Sequence, residues 1–428
     1  MTTSFFSRFL AILIVFNFFS CDSEKVSNKK DYQAFLVEVE DDKNLKSEFD
    51  FWNSKINNTP NQYPYYLQRA GVYTRMFDNT ANIKYLKLAE QDLKIANEKT
   101  VYNNAGYLRA LAHNYISQHK FKEALELLKK AETNGEKLKS TQKMLFDAHL
   151  ELGNNQEAEK YLNKIKDFSD FDYLIRLSKW SDHNGDLDSA IKYMERASSI
   201  AESGNTNGLK QWSYTNLADF YGHAGKIKMS YEHFLKALEL NPNDAYAKKG
   251  LAWIIYSYEK NPDEALNILN HVDTYYTAPD YKLLKAEIAE FKNDKVLQEN
   301  ALNAYKSQVE NALYGDMYNQ YNIELYSEEI SMTEKAIEIA KIEVKNRPTA
   351  QTYDFLAWSY FKNGQIDKAY EITEKFVADR TSEPKVLYHM AEIYKAKGME
   401  VKVIPLKEEL ETAIYELGPT LKTKIQSL

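Results

Sequence analysis

Residues 211–244 read QWSYTNLADFYGHAGKIKMSYEHFLKALELNPND, and this stretch decides the fold. Leu217, Ala218 and Tyr221 lie on one helical face before Gly225; Ile227, Ser230, Phe234 and Ala237 lie on another after it, and Pro242 closes the stretch. Two amphipathic runs separated by a glycine, which alone takes the left-handed conformation freely, spell two helices joined by a tight reversal.

The unit recurs. Small residues at Ala89, Ala124, Ala158, Ala190, Ser230, Ala265, near Asn300, and at Ala336, Ala369 and Val403 follow one another at a spacing near 34. A glycine precedes the anchor by five residues at Gly153, Gly185, Gly225, Gly364 and Gly398. One hairpin cannot bury its apolar face alone, so a repeat of this length predicts an all-α solenoid of about ten stacked hairpins. The small anchor is expected where the two helices cross, because a larger side chain would hold the backbones apart. Enlarged loops are expected near residues 77–83 and 203–211, and the register blurs between residues 281 and 344.

The motif residues, Leu-Ala then Tyr, Gly, the small anchor, Phe, Ala and Pro, resemble the tetratricopeptide repeat nearly in full over residues 211–244. The pattern returns as Leu111, Ala112, Tyr115, Phe121 and Ala124, as Leu356, Ala357, Tyr360, Gly364 and Ala369, and as Met390, Ala391, Tyr394 and Gly398. The resemblance covers residues 65–413 and implies a right-handed superhelix whose concave groove binds a protein or peptide. Carried over by motif position, its groove contacts are Arg109 and His113 in the second unit, Trp212, Asp219 and His223 in the fifth, Asp354, Trp358 and Lys362 in the ninth, and Tyr246 and Trp253 in the sixth when that unit is shifted by one for its longer loop. Packing of Trp253 and Trp358 between hairpins is the competing reading of those rings.

At the N-terminus, Arg8 precedes an apolar run over residues 9–19 that ends at Cys21, the one cysteine of the chain. The run is shorter than a membrane span and has the size of a signal-peptide core. It resembles a bacterial lipoprotein signal, which implies cleavage after residue 20 and a lipid on Cys21. Phe18 and Phe19 depart from the usual residues there, and an uncleaved anchor or ordinary secretion are the other readings. Residues 21–31 are polar and read as a flexible tether, residues 32–64 as a helical cap and residues 414–428 as a C-terminal tail. The expected location is therefore the bacterial cell envelope, lipid-anchored.

Other chemistry is thinly represented. The net charge of −7 leaves no basic excess for a nucleic-acid backbone. No zinc-protease, phosphate-loop or nucleophile-elbow motif occurs and the histidines are scattered, so neither an enzyme, a metal site nor a cofactor is expected. Two classes remain. A membrane-tethered scaffold for protein–protein interaction leads; the alternative is a glycan- or nutrient-capturing lipoprotein that stacks sugars on groove aromatics, whose known examples interrupt their repeats with long insertions that this chain lacks.

Overall fold

In the computed structural model, which describes residues 25–39 and 42–428, the described residues are helical throughout, without a strand. A leading helix, Lys43–Asn58, packs on the first of ten hairpins. Their first helices are Pro64–Thr80, Ala105–Ser117, Leu138–Glu151, Phe171–His183, Asn207–His223, Ala245–Trp253, Asp280–Phe291, Asn319–Glu328, Ala350–Lys362 and Pro384–Ala396. The second helices are Ile83–Lys99, Phe121–Asn134, Asn155–Lys164, Leu187–Ser203, Ile227–Leu240, Pro262–Val272, Lys295–Val309, Thr333–Asn346, Ile366–Ile372 and Glu400–Thr412. Each packs on its neighbours in sequence, as an α-solenoid requires.

The reversal inside each hairpin is more regular than its sequence. Nine of the ten turns hold one residue in the left-handed region, φ between +52° and +82°: Ala81, His119, Gly153, Gly185, Gly225, Lys260, Asn293, Gly364 and Gly398. The next amide commonly reaches back five residues, as Lys226 does to the Tyr221 carbonyl at 2.8 Å and Lys120 to Tyr115 at 2.8 Å, satisfying carbonyls the helix end would leave bare. Counting five residues on from this turn residue corrects two anchors. In the first hairpin the position belongs to Leu86, one turn before Ala89, although both are buried. In the seventh it belongs to Gln298, and Asn300 is exposed. The eighth hairpin replaces the turn by a short helix, Ile330–Met332.

Both expected loop enlargements are absent. Only Ala81 and Asn82 separate the helices of the first hairpin, and only residues 204–206 separate Ser203 from Asn207. The extra residues lengthen helices instead: Phe77 packs beside Ile83, Leu86 and Tyr314, whereas residues 207–209 form an exposed first turn.

The solenoid winds until successive superhelical turns touch. Thr277 donates from its amide (2.8 Å) and its hydroxyl (3.0 Å) to the carbonyl of Thr80, so the turn of hairpin one rests on the connection between hairpins six and seven. Gly153, in the turn of hairpin three, sits under the carbonyl of Pro348, which leads into hairpin nine; a Cβ there would lie 3.1 Å from that oxygen. Gly185 of hairpin four meets Ser382, just before hairpin ten. About six hairpins thus complete one turn.

Both chain ends differ from expectation. Residues 26–36 do not form a free tether but pack on hairpins five and six, with Tyr32 only 2% exposed. The C-terminal residues form two helices, Ile414–Leu417 and Pro419–Gln426, whose Leu417 and Ile425 join Val386 and Leu410 in the last core. Residues 1–24, with the apolar run and Cys21, lie outside the described residues.

Candidate functional site

Four carried-over residues share one cavity. Asp219, His223, Tyr246 and Trp253, with Lys249 and Leu284, line a space of about 200 Å³ on the inner side of hairpins five and six. Asp219 and Trp253 each follow a Leu-Ala pair, so helical geometry presents them from adjacent first helices. The Tyr246 hydroxyl donates to Asp219 Oδ2 at 2.6 Å, and Lys249 pairs with Asp280 at 2.7 Å. Burial pushes the Asp219 carboxyl up to about 6, against the Tyr246 hydrogen bond and the positive charge of Lys249.

The chain itself fills the cavity mouth. The Trp253 indole donates to the carbonyl of Tyr415 at 3.1 Å, and the Ser257 hydroxyl donates to the same oxygen at 2.6 Å. The Tyr415 ring lies against Gly222 and beside Ser230; a Cβ at residue 222 would sit 3.0 Å from the ring, so close that the ring would have to give way. Beyond it Gly418, at φ +82°, passes close to Glu287 and Trp253. Glu287, accepting from the Tyr256 hydroxyl at 3.1 Å, is raised to about 7, mainly by burial.

The other candidates lie elsewhere. Trp358 is 5% exposed, its ring stacked on His389 at 4.0 Å and 12°, while Asp354, 1% exposed, holds His389 Nδ1 at 2.8 Å. The expectation that these two face the groove is therefore corrected. The first helix of hairpin ten brings a flat imidazole against them and converts the position into inter-hairpin core. Lys362 lies over Trp358 and pairs with Glu328 at 2.7 Å. Arg109 donates to the Glu136 carbonyl (2.8 Å) and Thr141 (3.0 Å), tying hairpin two to hairpin three. His113 is exposed, and Trp212, 42% exposed, meets Phe171 edge-on.

A second, larger space escaped the sequence reading. About 540 Å³ open between successive superhelical turns, lined by Ile116, His119, Phe121, Tyr318, Tyr321 and Arg347. Arg347 crosses it, its guanidinium over the Phe121 ring and 3.4 Å from Glu151. No local pattern could have paired these residues, since Arg347 and Glu151 stand 196 positions apart. Among the described residues no cluster of His, Cys, Asp and Glu is arranged to hold a metal ion.

The repeat geometry, with its Leu-Ala pair, left-handed turn and small crossing residue, has a counterpart among known families. Residues 213–244 match the family model described as Tetratricopeptide repeat. Residues 213–244 are thus one tetratricopeptide repeat. No curated protein matches its sequence. Among solved structures, the chain is similar to that titled a functional characterization of Pseudomonas aeruginosa pilF, at 15% identity, covering 50% of this chain and 96% of that one, with a TM-score of 0.38. It is similar to the human IFIT1 dimer with PPP-AAAA at 13% identity, 77% of each chain and a TM-score of 0.47. It is also similar to YrrB, titled a TPR protein with an unusual peptide-binding site, at 17% identity, 46% of this chain and 95% of that one, with a TM-score of 0.28.

Proposed function

We propose that this protein is a membrane-tethered, non-enzymatic scaffold of the bacterial cell envelope, anchored by a lipid on Cys21 and gripping a protein segment at the inner face of hairpins five and six. One observation carries the binding half. Trp253 and Ser257 converge on a main-chain carbonyl, that of Tyr415, while an aromatic ring fills the adjoining space. Side-chain donors aimed at peptide backbone, beside a pocket for one large side chain, are what recognition of a protein segment needs. The anchoring half rests on the apolar run over residues 9–19 ending at Cys21. The glycan reading loses its aromatic platform at Trp358, whose face is covered by His389.

Affinity capture from detergent-solubilised envelopes tests the binding half: a protein partner retained by the wild type and lost with Asp219→Ala plus Tyr246→Ala supports it, and equal retention by the variant overturns it. For the anchor, Cys21→Ala should lose metabolic palmitate and leave the membrane fraction. Unchanged membrane retention of that variant would sink the claim.

A further inference from the structure

The N-terminal segment that follows the anchor position is bound to the solenoid from its first described residues. The amides of Val26 (2.9 Å) and Ser27 (2.6 Å) both donate to Glu259 Oε1, and the Ser27 hydroxyl donates to Oε2 at 2.7 Å. The Asn28 amide donates to the Tyr231 hydroxyl at 3.1 Å, and Lys29 pairs with Glu264 at 2.9 Å. Tyr32 is buried in the core of hairpins five and six, with Val26, Phe35 and Leu36 packed beside it. Three hydrogen bonds to one carboxylate, an ion pair and a buried ring make this a strap rather than a leash.

Covalent geometry turns the strap into a constraint. Four residues lie between Cys21 and Val26, and the five steps, at no more than 3.3–3.6 Å each, reach about 18 Å. A flexible tether ending at residue 31 would allow about twice that reach; one that ends at Val26 keeps the strap within about 18 Å of the anchor. We propose that residues 26–36 fix the orientation of the solenoid on a lipid bilayer, with the strap-bearing side of hairpins five and six against the headgroups. Hairpins two and three, about half a superhelical turn away, point outward. The proposal rests on the reading of Cys21 as the anchor.

The test separates the two. The chain from Cys21 onward keeps every described residue, and its thiol can be coupled to a maleimide phospholipid in phosphatidylcholine–phosphatidylglycerol vesicles, whether or not cells lipidate it. A clickable non-natural residue carries a dye either at Asn267, exposed and one turn beyond Glu264, or at Glu136, exposed at the end of hairpin two. With a quencher on the headgroups, quenching at residue 267 should exceed that at residue 136 several-fold. Glu259→Ala should collapse this contrast and raise hydrogen exchange at residues 26–32, with coupling and sedimentation with the vesicles unchanged. Equal quenching at the two positions, or a contrast that survives Glu259→Ala, overturns the proposal. Absence of cellular palmitate on Cys21, with the contrast intact, would instead remove only the biological anchor.

Discussion

The indole nitrogen of Trp253 and the carbonyl of Tyr415, 162 residues further along, form a 3.1 Å hydrogen bond that closes the inner face of hairpins five and six with the chain's own C-terminal segment. Trp358, at the same position in its first helix, instead stacks on His389 inside the core. The two rings thus have different work, and substitution should separate them.

Trp253→Phe keeps the ring and removes the donor. The loss should be about 1 kcal/mol and confined to the C-terminal segment, read as faster hydrogen exchange over residues 414–426 with little change elsewhere. Trp358→Ala should cost about 3–5 kcal/mol and lower the melting temperature of hairpins nine and ten. Equal melting of Trp358→Ala and wild type would contradict the core placement.

Lys248 has no exposed surface; its ammonium meets the neutral ring nitrogen of His271 at 3.1 Å and lies over Tyr275. Burial pushes it down to about 8. Below that pH the folded state bears the full cost of a buried charge, and stability from this group rises between pH 8 and the ordinary lysine range, where the unfolded chain binds the extra proton. Lys248→Met, of similar length, should stabilise the protein at pH 7 by about 1–3 kcal/mol in denaturant titration and abolish that rise.

Glu287 is raised to about 7 and Asp219 to about 6, both chiefly by burial. A carboxyl raised on folding binds its proton more tightly in the native state, so these groups make stability fall as pH climbs from about 4.5 to 7. Because Gly418 and Tyr256 abut Glu287, the C-terminal helices should loosen first. Glu287→Gln should flatten the pH dependence of exchange over residues 414–426; an unchanged slope would contradict this account.

Glu90 acts at the opposite end of the scale. Burial would raise it, but hydrogen bonds from Lys94 and Gln118 and the charges of Lys120 and Lys87 outweigh that and hold it near 2. Its contribution is complete above pH 4.5 and disappears as pH falls toward 2. Glu90→Gln should therefore destabilise hairpins one and two at pH 7 and leave stability unaltered near pH 2.

Arg347 ties superhelical turns together through Phe121, Glu151 and Glu343. Arg347→Ala leaves the buried Glu343 without its cation, while Glu151 keeps Lys179, and should cost about 3 kcal/mol. The larger signature should be geometric: with the turns parted, small-angle scattering should report a greater radius of gyration while helical circular dichroism is retained.

The hairpins were legible because their causes are local. Gly153, Gly185, Gly225, Gly364 and Gly398 announce a left-handed turn that only glycine adopts freely. Where Ala81 and Asn293 take the same conformation under tertiary constraint, the sequence carries no such signal, and Ala89 and Asn300 mimic anchors in place of Leu86 and Gln298. The motif position that gathers Asp219 and Trp253 on one cavity was legible too, since it depends only on helical periodicity.

The sequence by itself determined that this chain is a stack of helical hairpins, because each turn, crossing and apolar stripe is encoded within a few residues of where it acts. Tertiary structure alone decided what each face meets: Trp358 under His389, Trp253 under Tyr415, Arg347 across from Glu151, and Val26 on Glu259. Those contacts arise from small rotations summed over successive hairpins, and no window shorter than a full superhelical turn contains them.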